Sequence, residues 1–225
     1  MTIVVGIQAR ARSQRLPGKN FYMLGEKKIC EWAVEQAKLY FPKSKIFLLV
    51  PDDEFSVLFS NIADQTHVGC IIGDEVDVLS RYEKLAMMRN CAAIVRWTSD
   101  NPMKCSEAMH LMQRQIAQTP GKYVAYSKLR KTAVEYIPSD LLLKIRNSDF
   151  YTDYCKEHVT LGLRDGSKLD THLLDDNNLE LHREIDQKLT IDTANDFVFV
   201  EQVIKGFNIS PNSKAHLGML NNIRL

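Results

Sequence analysis

Apolar positions along this chain fall into two kinds of run, and the two alternate. Short, nearly continuous apolar stretches occur at Ile3–Ile7, Lys45–Val50, Val68–Ile72, Ala92–Trp97 and Tyr123–Tyr126. Runs of this length without polar alternation predict strands buried on both faces. Between them residues of one face are spaced three and four apart: Ile29, Trp32, Ala33, Ala37 and Tyr40, with the polar Gln36 on the same face; then Phe55, Leu58, Phe59 and Ile62. The same spacing recurs at Val78, Leu79, Tyr82, Leu85 and Ala86, and at Ala108, Leu111, Met112 and Ile116. It predicts helices with one packed face. Breakers separate the two kinds: Pro42, Pro51-Asp52-Asp53, Gly73-Asp74, Thr98-Ser99-Asp100-Asn101-Pro102 and Pro120-Gly121. Strands joined through helices imply right-handed crossovers, so the expected fold is an open, doubly wound α/β sheet, mainly parallel.

Beyond residue 127 the pattern is less regular. Ala133–Ile137 predicts a strand, Pro138-Ser139-Asp140 the start of a helix over Leu141–Ile145, Lys188–Ile191 a further strand and Asp196–Ile204 a closing helix. Lys168–Leu181 is polar and carries no predicted element, and Ser210–Leu225 is expected to pack on a partner or to stay mobile. With 225 residues, 45% of them apolar, the chain suffices for one substantial core, and a single domain over 1–225 is expected.

Charge adds a first hint of chemistry. Lys plus Arg number 29 and Asp plus Glu 28, so bulk electrostatics give no reason to expect binding to nucleic acid or membrane. The distribution is uneven: residues 1–45 hold nine Lys/Arg against three Glu, and residues 165–196 hold nine Asp/Glu against three Lys/Arg. The five cysteines, Cys30, Cys70, Cys91, Cys105 and Cys155, show no metal-ligand spacing and read as thiols of a reducing compartment. There is no leader or long uncharged apolar window, so a soluble, cytoplasmic protein is expected.

Ligands of open α/β sheets sit beyond the carboxyl ends of the strands. Three stretches fall there: the loop Gln8–Asn20 with Arg10, Arg12, Arg15 and Lys19, the turn at Asp100, and Asp192-Thr193. Four cations on one loop call for an anion, and two carboxylates beside them suit a nucleotide with its magnesium. The loop is neither a Walker P-loop, since Asn20 follows Gly18-Lys19, nor a dinucleotide fingerprint, since Gly6 and Gly18 lie too far apart.

The run ARARSQRLPGKN resembles the A-R-x-x-S-x-R-L-P-G-K-N signature of cytidylyltransferases that activate acidic sugars, among them the 3-deoxy-manno-octulosonate and acylneuraminate enzymes. GDEVDVLSRY (Gly73–Tyr82), VRWTSDNP (Val95–Pro102), EHVT (Glu157–Thr160) and LTIDTANDF (Leu189–Phe197) are similar, in the same order, to the spore-coat polysaccharide SpsF-like branch. The resemblance implies a nucleotide-diphospho-sugar transferase-like fold with a small sugar-binding and dimerisation subregion at about 127–187. It implies transfer of CMP from CTP to a sugar acid with release of pyrophosphate, Mg²⁺ as cofactor, and a homodimer. Carried over residue by residue, it places Gln8, Ala9, Arg10 and Ser13 at the nucleotide, with Arg15 and Lys19 acting on phosphates. Asp77 and Arg81 shape the nucleotide or sugar pocket, Asp100 and Asp192 hold metal, and Glu135, Tyr136, Glu157 and His158 lie toward the sugar. Asp100 counts among the catalytic residues with Arg15 and Lys19.

The chain departs from the pattern at three places. Arg12 stands where a small residue is usual and either points away or fills part of the site, Ser99 replaces a glycine, and the Pro-x-Gly before the sugar-site strand is missing. Two other readings stand beside the first: a nucleotide-sugar-dependent glycosyltransferase of the related fold, with Asp100 in a D-x-D-like role, and, favoured by these three departures, a degenerate relative that binds nucleotide without turnover. Asp100 and Asp192 each also have a structural reading as helix or turn caps.

Overall fold

The computed structural model of the chain describes residues 2–127, 131–164, 171–174, 186 and 188–223. Its frame is a seven-stranded sheet in the order β5-β4-β1-β6-β8-β7-β9. The strands are β1 (Ile3–Gln8), a short pair β2 (Met23–Leu24) and β3 (Lys27–Lys28) that forms a separate two-stranded ribbon, β4 (Ile46–Pro51), β5 (Gly69–Gly73), β6 (Ala93–Thr98), β7 (Tyr123–Tyr126), β8 (Glu135–Pro138) and β9 (Thr171–Leu174). Strands β5, β4, β1 and β6 pair in parallel, β8 runs antiparallel to both its neighbours, and β9 pairs in parallel with β7.

Alternate residues of the central strands feed two separate apolar layers, the signature of a sheet buried on both faces. Val5, Ile7, Leu48, Val50, Val95 and Trp97 face α1 (Ile29–Lys38), α2 (Ser56–Thr66), α4 (Ser106–Gln118) and the late helix Ala194–Gly206. Val4, Leu49, Ile71 and Ile94 face α3 (Val78–Arg89), α5 (Ser139–Lys144), α6 (Asp153–His158) and α7 (Leu161–Arg164). Helix α3 lies close on β1 because residue 6 is glycine: a Cβ there would stand 2.8 Å from Tyr82 Cε1 and 2.9 Å from Leu49 Cδ1. The Tyr82 hydroxyl uses the same proximity to reach the Gly6 carbonyl at 3.1 Å.

Three expectations are corrected. Lys188–Ile191 is not a strand: Lys188 closes a helical turn, and the buried residues after it dock on the β6 loop, where the Ile191 amide donates to the Asp100 carbonyl at 2.9 Å. Burial there comes from a loop partner, which offers no ladder to extend. The polar stretch after 168 does hold a strand, β9, whose place at the sheet edge leaves it half exposed and so without an apolar run. The C-terminal tail packs on its own chain: Ser106 donates to the Ala215 carbonyl, Gln36 Nε2 donates to the carbonyls of Pro211 and Ser213, and Ala215 and Leu220 are fully buried. Among the described residues no helix is long and apolar enough to cross a membrane.

Candidate active site

The carboxyl ends of β1 and β6 and the start of the antiparallel β8 open onto one cleft of about 650 Å³. Each wall has a local cause. The loop after β1 closes on itself, with the Gly18 amide donating to the Ala11 carbonyl at 2.8 Å and Asn20 Nδ2 to the Arg10 carbonyl at 2.8 Å. Gly18 takes φ 72°, a conformation that costs glycine nothing, and this turns Lys19 inward from a short 3₁₀ turn. Lys19 is consequently only 6% exposed.

The Lys19 ammonium stands 3.1 Å from Asp100 Oδ2, 3.1 Å from Asp192 Oδ1 and 2.7 Å from the Ile191 carbonyl, to all of which it donates. Arg15 pairs with the second oxygen of Asp192 at 2.9 Å. Three segments distant in sequence therefore meet on one ammonium. Burial pushes the Asp100 carboxyl up, but Lys19, Lys131 and the Thr98 hydroxyl outweigh it and hold the group below the usual carboxylate range. Asp192 ends its segment just ahead of the helix Ala194–Gly206, whose cap is supplied by its neighbour Thr193 and by Asp196.

The other predicted positions divide. Gln8, Ala9, Arg10, Ser13, Arg81, Glu135, Glu157 and His158 all line the cleft. Arg10 crosses it to Glu157 at 3.0 Å, a half-exposed pair of the kind worth little to stability and easily opened. Arg81 is 1% exposed, donates to the Leu49 carbonyl at 3.2 Å and keeps an unpartnered Nε; burial lowers the pKa of its guanidinium. Glu135 lies between Arg96, at 3.3 Å, and Arg164. Asp77 and Tyr136 sit elsewhere. The Asp77 carboxylate caps α3 through the Ser80 amide and pairs with Arg146 at 2.7 Å, outside the cleft lining. Tyr136 is buried on the opposite face of β8, as strand alternation requires after an inward Glu135.

Arg12 turns away from the cleft. It pairs with Glu54 at 2.8 Å and Glu75 at 3.1 Å, tying the first loop to the ends of β4 and β5. Residues that the sequence did not single out also reach the cleft, chiefly Arg96, Asn101, Lys131, Thr160 and Arg164. Arg96, Asn101 and Thr160 fall inside motifs shared with the resembling enzymes, and a cation inside the apolar β6 run marks Arg96 further. Lys131 and Arg164 sit in stretches without periodicity.

Asp100 and Asp192 offer carboxylate oxygens at a wet cleft, their side chains 28% and 26% exposed. Among the described residues no group of three His, Cys, Asp or Glu could hold a metal ion, so the protein would supply two carboxylates at most. A hard, two-carboxylate oxygen set that leaves room for water and substrate phosphate fits Mg²⁺.

The curated relatives include the spore coat polysaccharide biosynthesis protein SpsF of Bacillus subtilis (strain 168), 26% identical over 215 residues, covering 93% of this chain and 89% of that one. An uncharacterised protein of Methanocaldococcus jannaschii is 27% identical over 93% of this chain and 86% of its own length. Among solved structures, a cytidylyltransferase from Leptospira borgpetersenii serovar Hardjo-bovis superposes with a TM-score of 0.80 at 23% identity, covering 100% of this chain and 99% of that one. A CMP:2-keto-3-deoxy-manno-octonic acid synthetase complexed with CTP superposes with a TM-score of 0.65 at 12% identity, over 92% of this chain and all of that one. The cytidylyltransferase family model matches residues 4–217, a span that includes every wall of the cleft, and the chain belongs to that family.

Proposed function

We propose that the protein transfers CMP from CTP to a sugar acid, releasing pyrophosphate, and that the product serves surface polysaccharide synthesis. The observation that carries this reading is the Lys19 ammonium bridging Asp100 and Asp192 beside a cationic loop. The reaction is attack of an acceptor hydroxyl on the α-phosphorus of CTP, and it asks for alignment and charge neutralisation more than for covalent help from the protein. Arg15 and Lys19 would neutralise the departing pyrophosphate, Lys19 from a buried position fixed by its two carboxylate partners. Gln8, Ala9, Arg10, Ser13 and Arg81 would hold the nucleotide, and Glu135, Glu157 and His158 would face the acceptor. Mg²⁺ held by Asp100 and Asp192 would add Lewis-acid polarisation of the phosphate oxygens when bound. The similarity to SpsF supports the polysaccharide role, and the resemblance to acidic-sugar enzymes supports a cytoplasmic homodimer with residues 127–187 serving sugar binding and dimerisation. The outward course of Arg12 favours turnover over a binding-only relative, because that side chain leaves the cleft free.

The test is pyrophosphate release from CTP with Mg²⁺ and a panel of acidic sugars. Asp100→Ala and Asp192→Ala should each abolish release while the protein remains folded by circular dichroism. Undiminished activity in either variant would remove the metal assignment, and pyrophosphate formed without CTP but with another nucleoside triphosphate would remove the substrate.

A further inference from the structure

The cleft cations differ in whether the protein already neutralises them. Arg10 is paired with Glu157, Arg15 with Asp192, Lys19 with Asp100 and Asp192, and Arg96 and Arg164 share Glu135. Lys131 lines the same cleft, and among the described residues its ammonium makes no ion pair. Its influence reaches Asp100, whose carboxyl it helps to hold ionised.

The backbone beneath Lys131 is fixed with unusual completeness. Lys104, 1% exposed, donates to the Lys131 carbonyl at 2.7 Å and the Ala133 carbonyl at 3.2 Å, and its ammonium lies 5.2 Å from the Trp97 ring centroid. The Cys105 amide donates to the Thr132 carbonyl at 2.8 Å. From the other side Asp186, also 1% exposed, accepts from the amides of Lys131 and Thr132 and from the Thr132 hydroxyl at 2.7 Å. A buried lysine and a buried aspartate are thus spent on holding one short segment, whose cleft-facing charge, among the described residues, is Lys131. Such groups are expensive to bury and are kept where position matters.

The sheet order gives Lys131 a place along the cleft relative to the other charged groups. Along the cleft stand the β1 loop with Arg15 and Lys19, then Asp100 at the end of β6, then the approach to β8 that carries Lys131. Phosphoryl transfer places the attacking and leaving oxygens roughly in line on opposite sides of phosphorus. If the β1 loop takes the leaving pyrophosphate, the acceptor enters from the β8 side, where Arg96, Lys131 and Arg164 outnumber Glu135. We propose that Lys131, held in place by Lys104 and Asp186, binds the carboxylate of the acceptor substrate and so selects for an acid. This rests on the CMP-transfer reading of the cleft and adds to it a residue that reads the acceptor's charge.

The experiment is a thermal-shift titration of the full chain in two stages. CTP alone first tests the nucleotide reading, and absence of stabilisation in the wild type would overturn that reading and the proposal with it. With CMP then held in the cleft, 3-deoxy-manno-octulosonate and N-acetylneuraminate are titrated against their methyl esters, which keep the shape and lose the charge. The wild type should prefer at least one acid over its ester by about tenfold, the scale of a single charge-assisted hydrogen bond. Lys131→Met should erase that preference, Lys131→Arg should keep it, and Lys104→Met should weaken it, with CTP stabilisation confirming that each variant is folded. Equal binding of acid and ester by the CTP-competent wild type, or an undiminished preference in Lys131→Met, would overturn the proposal and leave the nucleotide reading standing.

Discussion

Lys19 reaches the cleft because Gly18 turns the chain at φ 72°, and its three acceptors then leave the ammonium little freedom. Replacement by Met would keep the stem and lose the charge, leaving Asp100 and Asp192 to repel one another. Pyrophosphate release should fall by about 10²–10³-fold, the scale of losing one preorganised charge-stabilising donor. Arg12→Ala, by contrast, should leave turnover unchanged, since its partners lie on the outer side of the loop. Steady-state assays of the two variants side by side check both outcomes. Lys104 carries a pH signature of its own. Burial lowers its pKa to about 7 from 10.5, against the opposing pull of Asp100 and Asp186. The unfolded chain holds that proton over the interval where the folded protein releases it, so stability attributable to this group rises with pH. Denaturant titrations from about pH 7 to about pH 9 should shift progressively in favour of wild type over Lys104→Met; a constant difference contradicts the assignment. Of these residues, Lys19 and Asp100 were legible from position at strand ends and from motif resemblance; Asp192 was legible from resemblance alone, because the strand expected before it is a loop. Lys104 and Lys131 were not, because a buried lysine and a loop lysine look alike until the fold encloses one of them.

Secondary elements were most readable where burial was symmetrical. β1, β4 and β6 lie at the sheet centre with helices on both faces, so apolar runs and strand ends coincide to within a residue or two. The readings failed where burial and pairing part company. Leu189 and Ile191 are as buried as any strand residue yet dock on a loop, and β9 has a ladder but little burial. The antiparallel course of β8 was equally silent, since strand direction leaves no mark on apolar content. It matters to the cleft, because it puts the start of β8 beside the ends of β1 and β6. The α3 layer offers a direct mechanical test. Gly6→Ala would press a methyl group against Tyr82 and Leu49. Equilibrium unfolding should show a loss of about 1–3 kcal/mol, the usual cost of overpacking a close-packed core. No loss would mean that α3 can move off the sheet. At the other end of the site, Thr193→Ala removes the cap that starts the helix after Asp192, with an expected cost of about 1 kcal/mol in the same measurement.

At the scale of the whole molecule, the early cationic stretch and the late acidic one turn out to be partners. Arg15 and Lys19 from the first forty-five residues meet Asp192 from the last forty, and Asp100, at the end of β6, reaches the same Lys19 ammonium. Charge is distributed unevenly along the sequence; folding joins part of the cationic and part of the acidic stretch into one cleft. The result is a preorganised arrangement in which protein cations and carboxylates hold one another; in the proposed reaction, substrate and metal would compete for them. Isothermal calorimetry of CTP, UTP, ATP and GTP, each with and without Mg²⁺, tests that arrangement most directly. The account predicts that CTP binds tightest of the four and that Mg²⁺ strengthens its binding. Equal affinity for all four nucleotides, with no response to Mg²⁺, would contradict it.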